Sequence, residues 1–161
     1  LGDHHAAILS ERMSIDNDIK SDVAPLVLMV ERLVCSLPVH ALRDVTRGGL
    51  ATVCRELGLS SGVTIELEEG SIPVDGAVRD FSKLLGLDPL YMGNEGKLVC
   101  VLPKEYAGEA VSIMRESKYG ADACVIGRVT DDEPNELILN TSIGGKRILD
   151  ILKGEGLPRI C

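Results

Sequence analysis

The order of hydrophobic patterns along the chain is the feature that most limits its fold. Apolar residues recur at helical spacing in "PLVLMVERLVCSL", whereas "GVTIELEEG" alternates Val63, Ile65 and Leu67 with polar residues. The first pattern is typical of an amphipathic helix and the second of a strand with one face in water. Helix and strand patterns alternate along most of the chain, which predicts an α/β fold of helices layered on a mixed sheet.

The boundaries of these elements follow from turn and capping residues. Asp22 is expected to cap the helix predicted in "PLVLMVERLVCSL", because its carboxylate can accept a free amide of the first turn. Gly58 is expected to end the next predicted helix, which follows Gly48. The run "KLVCVLP", bounded by Gly96 and Pro103, predicts a buried central strand. The predicted helices cover residues 25–37, 48–58, 76–86 and 107–120, with a short one around 148–152. The predicted strands cover residues 39–44, 62–70, 97–103, 123–129 and 135–141.

Composition limits the classes of function. A chain of 161 residues with 45% hydrophobic residues can bury one core and suits a single domain. The net charge of -8 argues against nucleic acid or an anionic membrane as the main partner, because both require a basic surface. No apolar run reaches about 18 residues, so no transmembrane span is predicted. Any anion must therefore be bound by a local site.

Two sets of potential metal ligands occur, and neither has the spacing of a metal site. Asp3, His4 and His5 are adjacent, and neighbouring side chains of an extended segment point in opposite directions. The five cysteines are widely spaced and form no CxxC pair, which is typical of reduced thiols in a cytoplasmic protein. These cysteines are Cys35, Cys54, Cys100, Cys124 and Cys161.

Three regions are predicted along the chain. The segment "LGDHHAAIL" begins without Met and runs directly into apolar sequence, so we expect a fragment cut at a domain boundary. Residues 1–21 are interpreted as a linker or extended segment, and residues 22–153 as the folded domain. Residues 154–161 contain two glycines and a proline and are expected to be a flexible tail that carries Cys161.

The segment "RDVTRGGL", residues 43–50, lies at a predicted strand end and helix start. Gly48 and Gly49 would let the backbone approach a ligand closely, and the amides and dipole of a helix N-terminus favour an anion. This combination suits a phosphate group. Short glycine motifs also occur in ordinary turns.

The polar side chains of the same segment fit either a phosphate-binding site or an ordinary turn. Arg43 and Arg47 could hold phosphate oxygens by charge-assisted hydrogen bonds, and Asp44 could bind magnesium or a hydroxyl group. Alternatively, the segment is a capped turn in which Asp44 or Thr46 satisfies the helix and the arginines face water. The sequence alone leaves both open.

Two further positions could carry chemistry. Glu95 lies between glycines in "GNEGKL", ahead of a predicted strand, where a partly desolvated carboxylate could act as a general base. The alternative is an ordinary Asn-Glu-Gly turn. Cys161 ends the chain beside its own carboxylate, so it is not expected to be an unusually reactive thiolate by itself. It is either an inert terminal thiol or a group that a partner must load.

The combination of segments resembles a known family. The segments "GDHHAAILS", "SDVAPL", "LRDVTRGGL", "GLDPLYMGNEGKLVCVLP", "IGRV", "GGKRILD" and "LPRIC" resemble, in order, the C-terminal domain of the HypE family of hydrogenase maturation proteins. The closing Pro-Arg-Ile-Cys is a signature of that family. The segment "RDVTRGGL" is also similar to a motif of aminoimidazole ribonucleotide synthetase and selenophosphate synthetase. Two positions depart from the family pattern: His5, where Gly is usual, and Val45, where Pro is frequent.

The resemblance implies a fold and an activity. It implies a PurM-like, partly ferredoxin-like C-terminal domain that packs on a separate ATP-binding N-terminal domain, absent from this chain. The full-length protein would be an ATP-dependent carbamoyl dehydratase of the lyase type. It would convert the S-carbamoyl group on Cys161 to a thiocyanate and supply cyanide for the iron of a [NiFe] hydrogenase. The implied partners are the carbamoyltransferase HypF, the HypC–HypD complex and a second copy of the full-length chain.

The resemblance also implies residue roles. Cys161 would be the carrier, and Glu95 the base that removes the carbamoyl N–H proton. Six residues of the "RDVTRGGL" segment would help the absent domain to hold ATP and Mg²⁺. This chain alone is expected to bind ATP weakly and not to turn over. Two rival interpretations remain: another ATP-dependent synthetase of the same superfamily, or a domain that only mediates protein interaction. The residues implied for ATP binding are Arg43, Asp44, Thr46, Arg47, Gly48 and Gly49.

Overall fold

The computed structural model of the chain describes residues 1–131 and 135–152. In that part it contains helices packed on two sheets, which confirms the predicted α/β class. The helices are α1 (Asp3–Arg12), α2 (Val27–Ser36), α3 (Gly49–Ser61), α4 (Gly76–Leu85) and α5 (Ala107–Arg115). The strands are β1 (Ala41–Asp44), β2 (Thr64–Glu68), β3 (Leu98–Val101), β4 (Gly127–Thr130), β5 (Leu137–Asn140) and β6 (Lys146–Leu149). Short 3₁₀ turns cover Glu69–Ser71, Pro89–Tyr91 and Lys104–Tyr106.

The larger sheet is mixed and has the strand order β4-β2-β5-β6. Strands β2 and β5 are parallel, whereas β4 and β6 run antiparallel to their neighbours. The segment predicted as a strand at 123–129 overlaps β4, which runs from Gly127 to Thr130, and the one predicted at 135–141 contains β5. These two strands flank β2 and do not pair with each other.

Strand β3 is not the buried central strand that its apolar run predicted. Its four residues are half-buried, and in the described part of the chain it pairs only with β1. The run is apolar on both faces because β3 lies between two hydrophobic clusters. Val99 packs against the main core, while Leu98 packs against the cluster formed by α2 and α5.

Strand β2 is central in the larger sheet, and the prediction that one of its faces is wet was wrong. Glu66 is only 6% exposed. Its carboxylate forms an ion pair with Arg128 on β4, and Lys146 on β6 lies 3.5 Å from its other oxygen. The apolar stems of such long cations can cover a sheet face while their charged ends stay in water.

The first residues do not form an extended linker as predicted. Residues 3–12 form α1, and Ala6 and Leu9 are buried against Val78 and Phe81 of α4. An apolar face that packs on a neighbouring helix stabilises a short helix that would be marginal alone. Helix α1 is therefore part of the folded domain.

Three predicted helix boundaries were also wrong. Helix α5 ends at Arg115 and not near Gly120. Helix α2 begins at Val27 and its N-terminal flanking residue is Leu26, so Asp22 does not cap it. Helix α3 continues through Gly58 to Ser61 and ends at Gly62, which has a left-handed φ of 67°. Gly58 is instead buried, where an added Cβ would lie 3.0 Å from the carbonyl oxygen of Val63.

The segment predicted as a short helix around residues 148–152 contains part of β6. This strand returns through a turn with Gly144 at φ 86° and pairs antiparallel with β5, so that Leu149 lies opposite Leu137. Leu149 is buried while Ile148 is 63% exposed, as the alternation of a strand requires. Pairing with a neighbouring strand outweighs the helical spacing of these residues.

The main core lies between α3 and the inner face of the larger sheet and is almost entirely aliphatic. Burial of each large aliphatic side chain contributes about 1.5–3 kcal/mol. Over residues 1–131 and 135–152, no helix is long and apolar enough to cross a membrane. The most deeply buried members of the core include Leu50, Ala51, Leu67, Leu137, Leu139 and Leu149.

Candidate functional site

The two segments singled out in the sequence lie side by side. Strands β1 and β3 are antiparallel, and Asp44 at the end of β1 lies opposite Leu98 at the start of β3. The pairing continues beyond the strands, because the amide of Val45 donates to the carbonyl of Lys97 at 2.9 Å. The loop that follows β1 and the loop that precedes β3 therefore occupy the same edge of this small sheet.

Asn94 ties the two loops together and was missed in the sequence. It is 1% exposed, and its side-chain amide donates to the carbonyls of Val45 at 3.0 Å and Met92 at 3.1 Å. Its side-chain oxygen accepts the amide of Gly2 at 2.8 Å. A buried amide group with its hydrogen bonds satisfied fixes the chain segments that it joins. In the sequence, only the turn-forming character of Asn was visible.

Gly48 and Gly49 start α3 with left-handed φ values of 76° and 66°. A Cβ on Gly49 would lie 2.5 Å from the carbonyl oxygen of Leu90 and 2.8 Å from that of Met92. The close approach for which glycine is needed at position 49 is thus to this chain's own segment ahead of Gly93. It brings the first turn of α3 against the base of the 93–97 loop.

No side chain in residues 1–131 or 135–152 caps the N-terminus of α3. Thr46 instead donates its hydroxyl to Asp44 at 2.7 Å, so the interpretation as a side-chain-capped turn was wrong. The amide of Gly49 is engaged by the carbonyl of Thr46 at 3.2 Å. The remaining amides of the first turn and the helix dipole can interact with an anion.

The two arginines are exposed. Arg43 forms an ion pair at 3.2 Å with Glu56 of α3, and both side chains are 45% exposed, so this pair contributes little to stability. Arg47 makes no hydrogen bond or ion pair with the described residues. Asp44 is also exposed. These charged groups are accessible to a ligand that reaches this edge.

Two carboxylates from the first 22 residues bind the Gly93–Lys97 loop. The carboxylate of Asp22 accepts the amides of Glu95 at 3.1 Å and Gly96 at 3.3 Å, and binds Lys97 Nζ at 2.7 Å. Lys97 also binds Asp3 at 2.5 Å. Asp22 thus stabilises this loop instead of the helix that its position in the sequence indicated.

Asp3, His4 and His5 face different partners. His4 Nδ1 lies 2.8 Å from the hydroxyl of Ser21, and His5 Nδ1 accepts the amide of Gly93 at 3.4 Å. Burial opposes the charge of Asp3, but the hydrogen bond from Lys97 and the nearby positive charges outweigh it and lower the pKa of Asp3. No group of three or more His, Cys, Asp or Glu side chains suited to a metal occurs in the parts of the chain that the structure describes.

Glu95 differs from its neighbours in the loop because its side chain is exposed. Within residues 1–131 and 135–152, its carboxylate has no hydrogen-bond or ion-pair partner. The partial desolvation expected for a general base is therefore not supplied by these residues. The terminal Cys161 and the predicted tail, residues 154–161, lie outside the described residues.

The fold and this edge define an α/β domain in which an uncapped helix N-terminus lies beside a carboxylate-bearing loop. Residues 1–140 match the model of the family described as AIR synthase related protein, C-terminal domain. The chain belongs to this family. That membership agrees with the predicted PurM-like domain.

The chain is also similar over its whole length to hydrogenase maturation proteins. Carbamoyl dehydratase HypE of Rhodobacter capsulatus is 42% identical over 164 residues, which cover 100% of this chain and 48% of the relative. The HypE protein of Cupriavidus necator is 44% identical, with 100% and 47% covered. The chain thus spans about half the length of these relatives.

Solved structures of HypE have the same fold. A crystal structure of HypE in complex with ATP has a TM-score of 0.94 and 41% identity, covering 100% of this chain and 50% of that chain. A crystal structure of a HypE–HypF complex has a TM-score of 0.88 and 39% identity, covering 94% and 50%. The resemblance found in the sequence is confirmed.

Proposed function

We propose that this chain is the C-terminal domain of an ATP-dependent carbamoyl dehydratase of the HypE type. The observation that carries the proposal is similarity to HypE over the whole chain at 42–44% identity in two bacterial relatives. The juxtaposition of the 43–50 and 93–97 segments supports it, because the reaction requires an anion site and a base close together. The full-length protein would be cytoplasmic and of the lyase type.

Arg43, Asp44, Thr46, Arg47, Gly48 and Gly49 are proposed to contribute to the nucleotide site. The uncapped start of α3 and two accessible arginines suit phosphate oxygens, and the exposed carboxylate of Asp44 suits Mg²⁺. The HypE structure solved with ATP supports nucleotide binding by the proposed full-length protein. ATP bound with Mg²⁺ would supply the phosphoryl group that makes the carbamoyl oxygen a leaving group.

The proposed chemistry uses two further residues of this chain. The sulfur of Cys161 carries the carbamoyl group, and its S–C bond persists throughout the dehydration. Phosphoryl transfer to the carbamoyl oxygen would release ADP, and the first N–H proton would pass to solvent. Glu95 then accepts the second N–H proton as the C–O bond breaks and inorganic phosphate leaves, which gives a C≡N triple bond on the sulfur. Its exposed, unpaired carboxylate is available to a substrate, and closure by the other half of the protein would desolvate it.

One of the proposed partners is supported by a solved structure of a relative, and the others are our proposal alone. The HypE–HypF complex supports HypF as the protein that loads Cys161. We also propose the HypC–HypD complex as the acceptor of the cyano group, and a homodimer for the full-length protein. The 161-residue chain alone is proposed to be inactive.

The experiment is mass spectrometry of the full-length protein after incubation with HypF, its carbamoyl donor and ATP. We expect a carbamoyl adduct on the peptide that contains Cys161, followed by the loss of one water from that adduct. Cys161→Ala should show neither. A carbamoyl-free protein, or activity after removal of residues 158–161, would instead support another synthetase with a diffusible substrate.

A further inference from the structure

The carboxylate of Asp22 occupies an unusual position for a residue in a connecting segment. It lies between α1 and α2, yet its side chain is only 12% exposed. One oxygen accepts the amide of Glu95, and the other accepts the amide of Gly96 and an ion pair from Lys97. A carboxylate that accepts two consecutive amides and a cation forms strong, directional hydrogen bonds.

The backbone at Asp22 is also in direct contact with this loop. A Cβ on Gly96 would lie 1.8 Å from the carbonyl oxygen of Asp22 and 3.1 Å from Cβ of Ala24. Glycine at position 96 is therefore required for the approach of the two segments. This requirement explains the glycine that follows Glu95.

The result is a loop in which the backbone is fixed and one side chain is not. Asp22 holds the amides of Glu95 and of the residue after it, while Asn94 is held by Val45 and Met92. Fixing the peptide groups on both sides of an α-carbon limits the directions that its side chain can take. Only the carboxylate of Glu95 is left exposed to a substrate.

We propose that Asp22 is a positioning residue for Glu95, a role that rests on the proposed function of Glu95 as the base. Asp22 has its oxygens engaged by two amides and by Lys97, so it does not itself take the substrate proton. Proton transfer requires the base within hydrogen-bond reach of the proton, at about 2.6–3.2 Å between heavy atoms. The Asp22 contacts keep Glu95 in that geometry.

The test uses the full-length protein with carbamoylated Cys161, and follows ATP-dependent formation of the thiocyanate in a single turnover. Here kcat is the first-order rate constant at saturating ATP, and KM is the ATP concentration that gives half of that rate. Asp22→Ala is expected to lower kcat by about 100-fold, since a misplacement of about 1 Å can have that effect. Asp22→Asn keeps one acceptor and is expected to retain an intermediate kcat. The KM for ATP should stay within about two-fold in both variants, because ground-state binding is not altered.

Glu69→Gln is the matched control. Glu69 also accepts a backbone amide, that of Ser142 at 2.7 Å, but in a different part of the fold. It should keep the kcat of the unmodified protein. An equal loss in Glu69→Gln and Asp22→Asn would show a general effect of instability and would overturn the proposal.

A double-mutant cycle separates this proposal from the proposed function. If Asp22 acts through Glu95, Asp22→Ala has no further effect on kcat in a Glu95→Gln background. Low kcat in Glu95→Gln with unchanged kcat in Asp22→Ala would overturn the role of Asp22 and leave the function intact. Unchanged kcat in Glu95→Gln would overturn the base assignment itself.

Hydrogen exchange provides a test that does not depend on the folding of a variant. In the unmodified full-length protein, the amides of Glu95 and Gly96 should exchange slowly although Glu95 is exposed, because Asp22 accepts both. Fast exchange at both amides in a protein whose β3 amides are protected would contradict the proposal.

Discussion

Gly49 and Gly62 show how one backbone conformation can serve two purposes. Their φ values are 66° and 67°, so a side chain would be strained at either position. A Cβ on Gly62 would meet no atom of the described residues within 4 Å, whereas one on Gly49 would lie 2.5 Å from the carbonyl oxygen of Leu90. Substitution of Gly62 therefore tests backbone strain alone, whereas substitution of Gly49 tests backbone strain together with close packing.

Gly49→Ala should be far more destabilising than Gly62→Ala. The left-handed conformation alone is expected to cost about 1 kcal/mol in Gly62→Ala. Gly49→Ala adds a steric conflict with backbone atoms and should cost about 2 kcal/mol more. Urea unfolding of the two variants measures the difference. Equal losses would show that α3 does not contact the 90–92 segment as described.

His5 departs from the family pattern and contacts the base of the 93–97 loop. Burial, together with the charges of His4 and Arg12, lowers the pKa of His5. Its Nδ1 accepts the amide of Gly93, which places the proton of the neutral ring on Nε2. Protonation of Nδ1 would break this hydrogen bond.

The sign of the pH dependence follows from the lowered pKa. Below the unfolded-state pKa of about 6.5, the unfolded chain takes up a proton at His5 that the folded chain resists. The stability contributed by the neutral ring should be complete above that pH and fall as the pH decreases through the folded pKa. His5→Gln should reduce the slope of unfolding free energy between about pH 7 and pH 5.

His40→Gln is the control for this measurement. His40 is exposed and lies just before β1, away from the Gly93 contact. The variant should keep the slope of the unmodified chain. If His5→Gln left the slope unchanged while His40→Gln reduced it, the role of His5 would be contradicted.

At the scale of elements, β6 provides the clearest test of the architecture. In a strand, Ile148 and Leu149 point to opposite faces, and their exposures are 63% and 1%. Leu149→Ala should lower the free energy of unfolding by about 2–4 kcal/mol, because it leaves a cavity in the main core. Ile148→Ala should lower it by less than about 0.5 kcal/mol. Comparable losses at both positions, measured by urea unfolding, would contradict the strand.

The elements that the sequence predicted correctly are those whose own periodicity matches their surroundings. Helix α4 is preceded by Asp75, which accepts the amide of Ala77 at 2.8 Å and caps the helix, and it is followed by Gly86 with φ 67°. Both signals are local and readable. The errors at β3 and β6 have a non-local cause, because strand pairing and the position between clusters depend on residues distant in the sequence.

In the candidate site, too, local features were predicted from the sequence and long-range contacts were not. The sequence identified the 43–50 and 93–97 segments, and the pairing of β1 with β3 brings them together. It did not identify Asn94, which bonds to Val45 49 residues away. Nor did it identify the role of Asp22, whose partners in the 93–97 loop lie 73–75 residues away. Hydrogen bonds across such separations leave no periodic pattern in a single sequence.

At the scale of the whole molecule, this chain corresponds to about half of its relatives. The candidate residues for ATP lie at an exposed edge, so we expect only weak binding by the chain alone. Millimolar Mg-ATP should raise its Tm by less than about 1 °C and that of the full-length protein by several degrees. Differential scanning fluorimetry measures both, with Arg47→Ala in the full-length protein reducing the shift. A large shift for this chain alone would contradict the expectation.

The most direct test of the proposed function is the dehydration rate of a preloaded carrier. Carbamoylated full-length protein is mixed with Mg-ATP, and conversion of the Cys161 adduct to thiocyanate is followed by mass spectrometry in a single turnover. The proposed role of Glu95 predicts that Glu95→Gln slows this conversion by at least about 100-fold. Conversion in Glu95→Gln at the rate of the unmodified protein would contradict it.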